Sequence, residues 1–170
     1  LSVEHARPAG PDDIGALAVL AREAIEELTS QRGGDLWRGT MARREPIETG
    51  LSAELARPGC LVVGTVDDVV VGYGAIELGQ LADGRTLATI TDLYVTPSAR
   101  GIGVGEAVMG LLESHARQAG AVGMDSVALP GDRATKNFFE SFGLKARAII
   151  VHRSLDEDGA DASGDGDGPP

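Results

Sequence analysis

The chain has a single cysteine, Cys60, in 170 residues; a lone thiol closes no disulfide within the chain and builds no thiolate metal cluster. Histidine is nearly as scarce. His5, His115 and His152 lie far apart without an H-x-x-x-H pairing, so neither a structural zinc nor a zincin site is expected. Cys60 opens an apolar run, where the expected role is a small buried strand residue rather than a nucleophile. No apolar run approaches the roughly 18 residues of a membrane span, and Arg7 and Pro8 interrupt the N-terminal stretch before a signal-peptide core forms. The expectation is a soluble, cytoplasmic protein with no membrane partner. Basic residues are in deficit, 15 against 26 acids, for a formal charge of −11. Six of the acids crowd into residues 156–170 with no base, leaving 20 acids against 15 bases in the body. That balance lacks the basic footprint of nucleic-acid binding, and a negative field steers cations toward the surface.

What is present is a chain with 42% hydrophobic residues, enough for one globular domain with a core of its own. The domain is expected over residues 1–155. Residues 156–170 form an acidic Gly/Asp/Pro-rich tail with too little apolar content to repay its ordering entropy, and are expected to be disordered. Alternation predicts a first strand at Val3–Arg7. Pro11-Asp12-Asp13 opens a helix carrying Ile14, Leu17, Ala18, Ala21, Ala24, Ile25 and Leu28 at helical spacing, which Gly33-Gly34 is expected to stop. Asp35–Gly50 reads as loop and short helix, and Leu51–Ala56 as a second short helix before Pro58. A meander follows: Leu61–Val66, a tight turn at Asp67-Asp68, Val69–Leu78, a turn around Ala82-Asp83-Gly84, and Leu87–Val95. After a glycine loop comes a long helix with Val104, Ala107, Val108, Leu111, Leu112, His115, Ala116 and Ala119 on one stripe, ended by Gly120. Then follow a strand at Met124–Leu129, a helix at Arg133–Phe142 capped by Pro130-Gly131-Asp132, and a last strand at Ala146–Leu155. The order β-α-α-β-β-β-α-β-α-β describes an α+β domain whose mixed, mostly antiparallel sheet is flanked by helices on both faces.

The segment Arg100-Gly101-Ile102-Gly103-Val104-Gly105 joins a β-branched strand to an amphipathic helix. Unpaired amides and the dipole at a helix N-terminus suit a phosphate. Glycines let the backbone approach phosphate oxygens closely, and Arg100 can add a charge-assisted contact. A P-loop is excluded, because no G-K-[ST] follows, and Glu106 occupies the third glycine position of a dinucleotide fingerprint. That fingerprint also belongs to a parallel β-α-β start rather than to an antiparallel meander.

The run Asp92-Leu93-Tyr94-Val95-Thr96-Pro97-Ser98-Ala99-Arg100-Gly101-Ile102-Gly103-Val104-Gly105 resembles motif A of the GNAT superfamily of N-acetyltransferases, a strand followed by [RQ]-x-x-G-x-[GA]. Asp132 to Leu144, with Phe138-Phe139-Glu140-Ser141-Phe142-Gly143-Leu144, is similar to the family's N-x-x-A-x-x-F-Y-E-x-x-G-F element. The resemblance spans Val3 to Leu155 and implies a GNAT-like sheet, acetyl-CoA as cofactor, and a small-molecule or peptide amine as acceptor. It implies that the strand bearing Leu93, Tyr94 and Val95 offers backbone groups to the pantetheine arm. Residues Arg100 to Gly105 would cradle the pyrophosphate, and amides near Val95 could serve an oxyanion. Asp132, Lys136 and Phe139 would stand against the cofactor.

The departures from the family pattern concern proton transfer. The Tyr that protonates the leaving thiolate is Phe139 here, which leaves water, Tyr94 or Tyr73 for that task. The usual carboxylate positions are Thr89 and Thr91. Asp92 is the nearest carboxylate, but strict alternation turns it to the opposite face unless a bulge intervenes; Glu77 and water are the other candidate bases. Trp37, Arg38, Arg43 and Arg44 fall where an acceptor pocket is expected, and their arginines suit an anionic substrate, against the cation preference of the net charge. A CoA-binding domain with regulatory or vestigial function is the leading rival, and a nucleotide-dependent oxidoreductase the third class. A homodimer is left open.

Overall fold

The computed structural model describes residues 4–155. Its five strands are β1 (Glu4–Pro8), β2 (Leu61–Val66), β3 (Val69–Gln80), β4 (Thr86–Val95) and β5 (Ala121–Asp125). Its helices are α1 (Ile14–Thr29), α2 (Gly34–Thr40), α3 (Ile47–Glu54), α4 (Val104–Gln118) and α5 (Arg133–Ser141), with 3-10 turns at Pro11–Asp13 and Pro97–Ala99. The strands lie in sequence order, antiparallel from β1 to β4, with β5 parallel to β4. This is the mixed, mostly antiparallel α+β architecture expected from the pattern.

Helices cover both faces, so the central strands are apolar on both sides. Leu61 and Val63 of β2 join Tyr73, Ala75 and Tyr94 in a core completed by Leu17, Leu20 and Ala21 of α1 and Ile47 and Leu51 of α3. Val62, Ile76, Ala88 and Ile90 point the other way, onto Val108, Met109 and Leu112 of α4 and Phe139 of α5. The α1 stripe at i, i+3 and i+4 spacing is what fixes that helix's orientation. At Asp67-Asp68 both residues take positive φ, 47° and 66°, as the two-residue hairpin turn demands.

Boundaries shift where tertiary contacts overrule local signals. The first strand begins at Glu4, Val3 lying outside the described residues. Helix α1 ends at Thr29, before Gly33-Gly34; instead Gly34 starts α2, where a Cβ would lie 2.0 Å from the Leu28 carbonyl oxygen. These glycines permit a backbone crossing rather than a helix stop. The second short helix is Ile47–Glu54, set by Pro46 just ahead of it, rather than Leu51–Ala56. Strand β5 is Ala121–Asp125, not Met124–Leu129, because its pairing with β4 ends at Thr89↔Asp125. Ala146–Leu155 forms no strand: Ile149, Ile150 and Val151 are more than 80% exposed, and Arg147 ties the segment to Asp125. The proposed tail, 156–170, lies outside the described residues.

The close crossing at Gly34 yields a prediction. Gly34→Ala should destabilise the fold by roughly 1–3 kcal/mol in urea unfolding. It should also change the emission of Trp37, the only tryptophan of the chain, because α2 must shift to relieve the clash.

Candidate active site

Strand β4 outruns its neighbour. Beyond Thr89↔Asp125 the two parallel strands part, and the chain after β5 swings away through Ser126-Val127-Ala128-Leu129. The gap opens a cleft of about 580 Å³ bounded by β4, this segment, α5, the glycine loop, α1 and α2. On the closed side β4 bonds to β3, and Thr96 donates its N–H to the Val71 carbonyl at 2.8 Å. Antiparallel alternation therefore turns the backbone groups of Leu93 and Val95 to the open side. The Val95 carbonyl is indeed reached from that side, by Arg100 Nε at 2.8 Å.

The glycine loop closes one end of the cleft. Gly101 and Gly103 hold positive φ, 78° and 101°, conformations that side chains with a Cβ resist. The first helical bond of α4 runs from the Ala107 N–H to the Gly103 carbonyl, so the amides of Val104, Gly105 and Glu106 have no intrahelical acceptor. Arg100, Gly101 and Gly105 line the cleft. Val104 buries its side chain in the core and Ile102 turns outward, so these two offer only backbone. A Cβ on Gly105 would meet the Phe138 ring at 3.3 Å, which explains a glycine there independently of any ligand.

A β-bulge decides which way Asp92 points. Ala75 pairs with Asp92 and Ile76 with Ile90, so Thr91 is the extra residue. The bulge breaks strict alternation: Ile90 faces α4, while Asp92 and Tyr94 face α1. The Asp92 carboxylate is fully engaged. Its Oδ1 accepts from Arg43 Nε (2.8 Å) and the Tyr73 hydroxyl (2.8 Å), and its Oδ2 from Arg43 Nη2 (2.8 Å) and Thr91 Oγ1 (2.8 Å). Arg43 also holds Glu54 with both terminal nitrogens, at 2.7 and 2.9 Å. Burial works against the Arg43 charge, but the Glu54 and Asp92 carboxylates outweigh it and hold the guanidinium firmly protonated. Burial, and then the Asp92 charge, raise the Tyr73 hydroxyl far above its ordinary range.

Residues 22–144, more than half of the chain, match the model of the acetyltransferase (GNAT) family. The chain belongs to the GNAT family. Its fold is shared by a four-substitution variant of BH1408 from Bacillus halodurans (21% identity, TM-score 0.73, 88% of this chain and 99% of that one). It is shared too by a predicted acetyltransferase with acetyl-CoA from Clostridium acetobutylicum (15%, 0.66, 90% and 97%). A third similar structure is the aminoglycoside acetyltransferase meta-AAC0020 from an uncultured soil metagenomic sample, in complex with sisomicin (18%, 0.66, 90% and 95%). No curated protein matches the chain.

Within this GNAT domain the residues singled out from sequence divide. Asp92, Leu93, Tyr94, Val95, Arg100, Gly101, Gly105, Asp132 and Phe139 border the cleft. Asp132 caps α5, accepting from the Thr135 N–H (3.0 Å) and hydroxyl (2.6 Å). Lys136 does not border the cleft; it lies exposed beside Glu140 at 3.4 Å, the position of a solvated helix lysine. Glu77 is exposed on β3 and away from the cleft wall. Trp37 does line the cleft, whereas Arg38 and Arg44 lie exposed outside it. Sequence reasoning missed Glu27, whose Oε2 takes Arg100 Nη2 at 2.7 Å, and the Arg43 cluster, whose members are 49 and 11 residues apart along the chain.

The Arg43 cluster makes a second prediction. Arg43→Met strands two carboxylates and should cost roughly 3–5 kcal/mol of stability. A triple variant adding Glu54→Gln and Asp92→Asn should recover most of that loss in urea unfolding.

Proposed function

We propose that the protein transfers an acetyl group from acetyl-CoA to a primary amine by direct attack within a ternary complex. The observation that carries this reading is the parted β4, whose free backbone edge leads straight into unpaired helix amides. The fit to the cofactor is chemical as well as spatial. An extended amide-bearing arm can pair with Leu93 and Val95 as an added strand, and a pyrophosphate can take the amides of Gly101 to Gly105. Arg100 is within the same wall and can exchange its partners Glu27 and Val95 for a phosphate oxygen. When bound, acetyl-CoA supplies a thioester whose acetyl carbon forms the new C–N bond as the C–S bond breaks and thiol is released.

The chain's own groups handle two protons. The amine must lose one, and Asp92 is poorly suited to take it, since a proton there would displace one of its four donors. Asp92 is read instead as a positioning residue that sets Thr91, Tyr73 and Arg43, with water in the open cleft accepting the proton. The departing thiolate needs one. Tyr73 is buried with its hydroxyl committed to Asp92, which leaves Tyr94 as the tyrosine of the cleft wall. Burial first, then Glu27 and Glu23, raise the Tyr94 hydroxyl above its ordinary range, so it keeps its proton at neutral pH.

Phe139 and the fully bonded Asp92 favour one rival, a CoA-binding domain with little turnover. Thiol release from acetyl-CoA across a panel of primary amines separates the two: release above the amine-free background supports transfer, and tight CoA binding with none supports the rival. Gly103→Val, forced out of its positive φ, should abolish measurable CoA binding. Tyr94→Phe should lower kcat by at least about 10²-fold if Tyr94 protonates the thiolate; an unchanged kcat assigns that proton to water.

A further inference from the structure

At the end of the cleft nearer Arg43 and Asp92 the wall is made by Ala24 and Leu28 of α1, Trp37 of α2, Met41 just past its end, and Thr91 and Tyr94 of β4. A side pocket of about 30 Å³ continues from it toward Arg43 and Asp92. Four of the six wall residues are apolar, and Met41 is half exposed there. Trp37 is only partly buried, although a tryptophan ring is large enough to anchor a core. This surface has room for an apolar body and an indole face for a cation.

Charge at this end is negative on balance. Among the described residues the only basic side chain on the pocket wall is Arg43, and its guanidinium serves both Asp92 and Glu54. One positive charge therefore faces two negative ones, in a cluster whose side chains are only 12–17% exposed and so little screened by water. Across the cleft Arg100 is matched by Glu27, and Glu23 stands 3.4 Å from the Tyr94 hydroxyl. An ammonium entering here meets an uncompensated carboxylate charge. A carboxylate entering here meets that same charge and no unpaired cation among the described wall residues. The arginines that suggested an anionic acceptor in the sequence are thus spent or outside the cleft.

We propose that the acceptor is an aryl- or alkylammonium cation with an apolar body and no carboxylate beside its amine, selected by the Trp37–Leu28–Met41 wall and the excess negative charge of the Arg43 cluster. The substrate class rests on the acetyl-transfer reading, but selection by the pocket does not require turnover.

Matched pairs test it: tryptamine against tryptophan, and phenethylamine against phenylalanine. Each is measured for thiol release with acetyl-CoA and, by calorimetry, for binding to the CoA-loaded protein. The expected result is a preference of at least about tenfold for the member without the carboxylate, equal to about 1.4 kcal/mol, in both readouts. If neither member turns over but the decarboxylated one still binds more tightly, the selectivity stands and acetyl transfer falls. If the amino acid equals or exceeds its partner in turnover and binding, the selectivity falls and acetyl transfer stands. Binding of no member overturns the inference. Glu54 lies outside the cleft wall, so Glu54→Gln should shrink the tryptamine-to-tryptophan ratio several-fold without removing any wall contact. Trp37→Ala should raise KM for both members of the pair alike.

Discussion

A strand that loses its neighbour halfway along leaves backbone donors and acceptors that something must satisfy, and β4 is such a strand. Its pairing with β5 stops at Thr89, while β3 holds it in register through Val95. Most of the candidate site follows from that parting. The gap forms the cleft, the free edge supplies its polar lining, and the chain beyond β5 becomes its far wall. Val95 shows how the cost is met in the isolated chain: the Arg100 side chain folds back onto its carbonyl. The same arginine is stacked over Tyr94 with 5.4 Å to the ring centroid and is paired with Glu27. It is therefore held near the loop by contacts that are each modest and exchangeable, as partly exposed ion pairs are.

The Arg43 cluster is held differently. Arg43, Asp92, Glu54 at the end of α3 and the Tyr73 hydroxyl form it, with every hydrogen bond between 2.7 and 2.9 Å. Such a cluster adds little net stability compared with apolar residues of equal volume, yet losing one member is expensive. Its structural effect is to tie the loop before α3 to the bulge in β4. The bulge alone would leave Asp92 facing the cleft as an available carboxylate; the cluster fills its lone pairs and pins Thr91 beside it. Two local features thus act in opposite directions on the same side chain, and the ion pairs decide what it can do.

Legibility in the sequence tracks the range of the interactions involved. Alternation and helical stripes are local, and β2, the Asp67-Asp68 turn and the start of α5 fall where the pattern puts them. The glycine loop is equally local, since positive φ and helix-start amides are properties of consecutive residues. The misread elements are those decided at a distance. Gly34 stands where it does because of the Leu28 carbonyl, β5 ends where β4 departs, and Ala146–Leu155 carries a strand-like pattern without a strand beside it. Asp92 lay between the two cases. Alternation assigns it to the wrong face, and only the register against Ala75 and Ile76 reveals the extra residue at Thr91.

The two ends of the cleft differ in the same way. The end at the glycine loop is built from backbone, so its chemistry is written in one short motif and asks little of the surrounding side chains. The other end is assembled from residues 24–28, 37–41 and 91–94, three segments that meet only because α1, α2 and β4 pack together. No local pattern reports that meeting, and the arginines there look available until their partners are in place. A backbone site can be shared by many sequences with one ligand, whereas side chains drawn from separate segments can change independently of it. Selectivity for the acceptor therefore resides in the part of the molecule that sequence reading recovers least, and the burial of Arg43 between Asp92 and Glu54 is the contact that reverses its apparent sign.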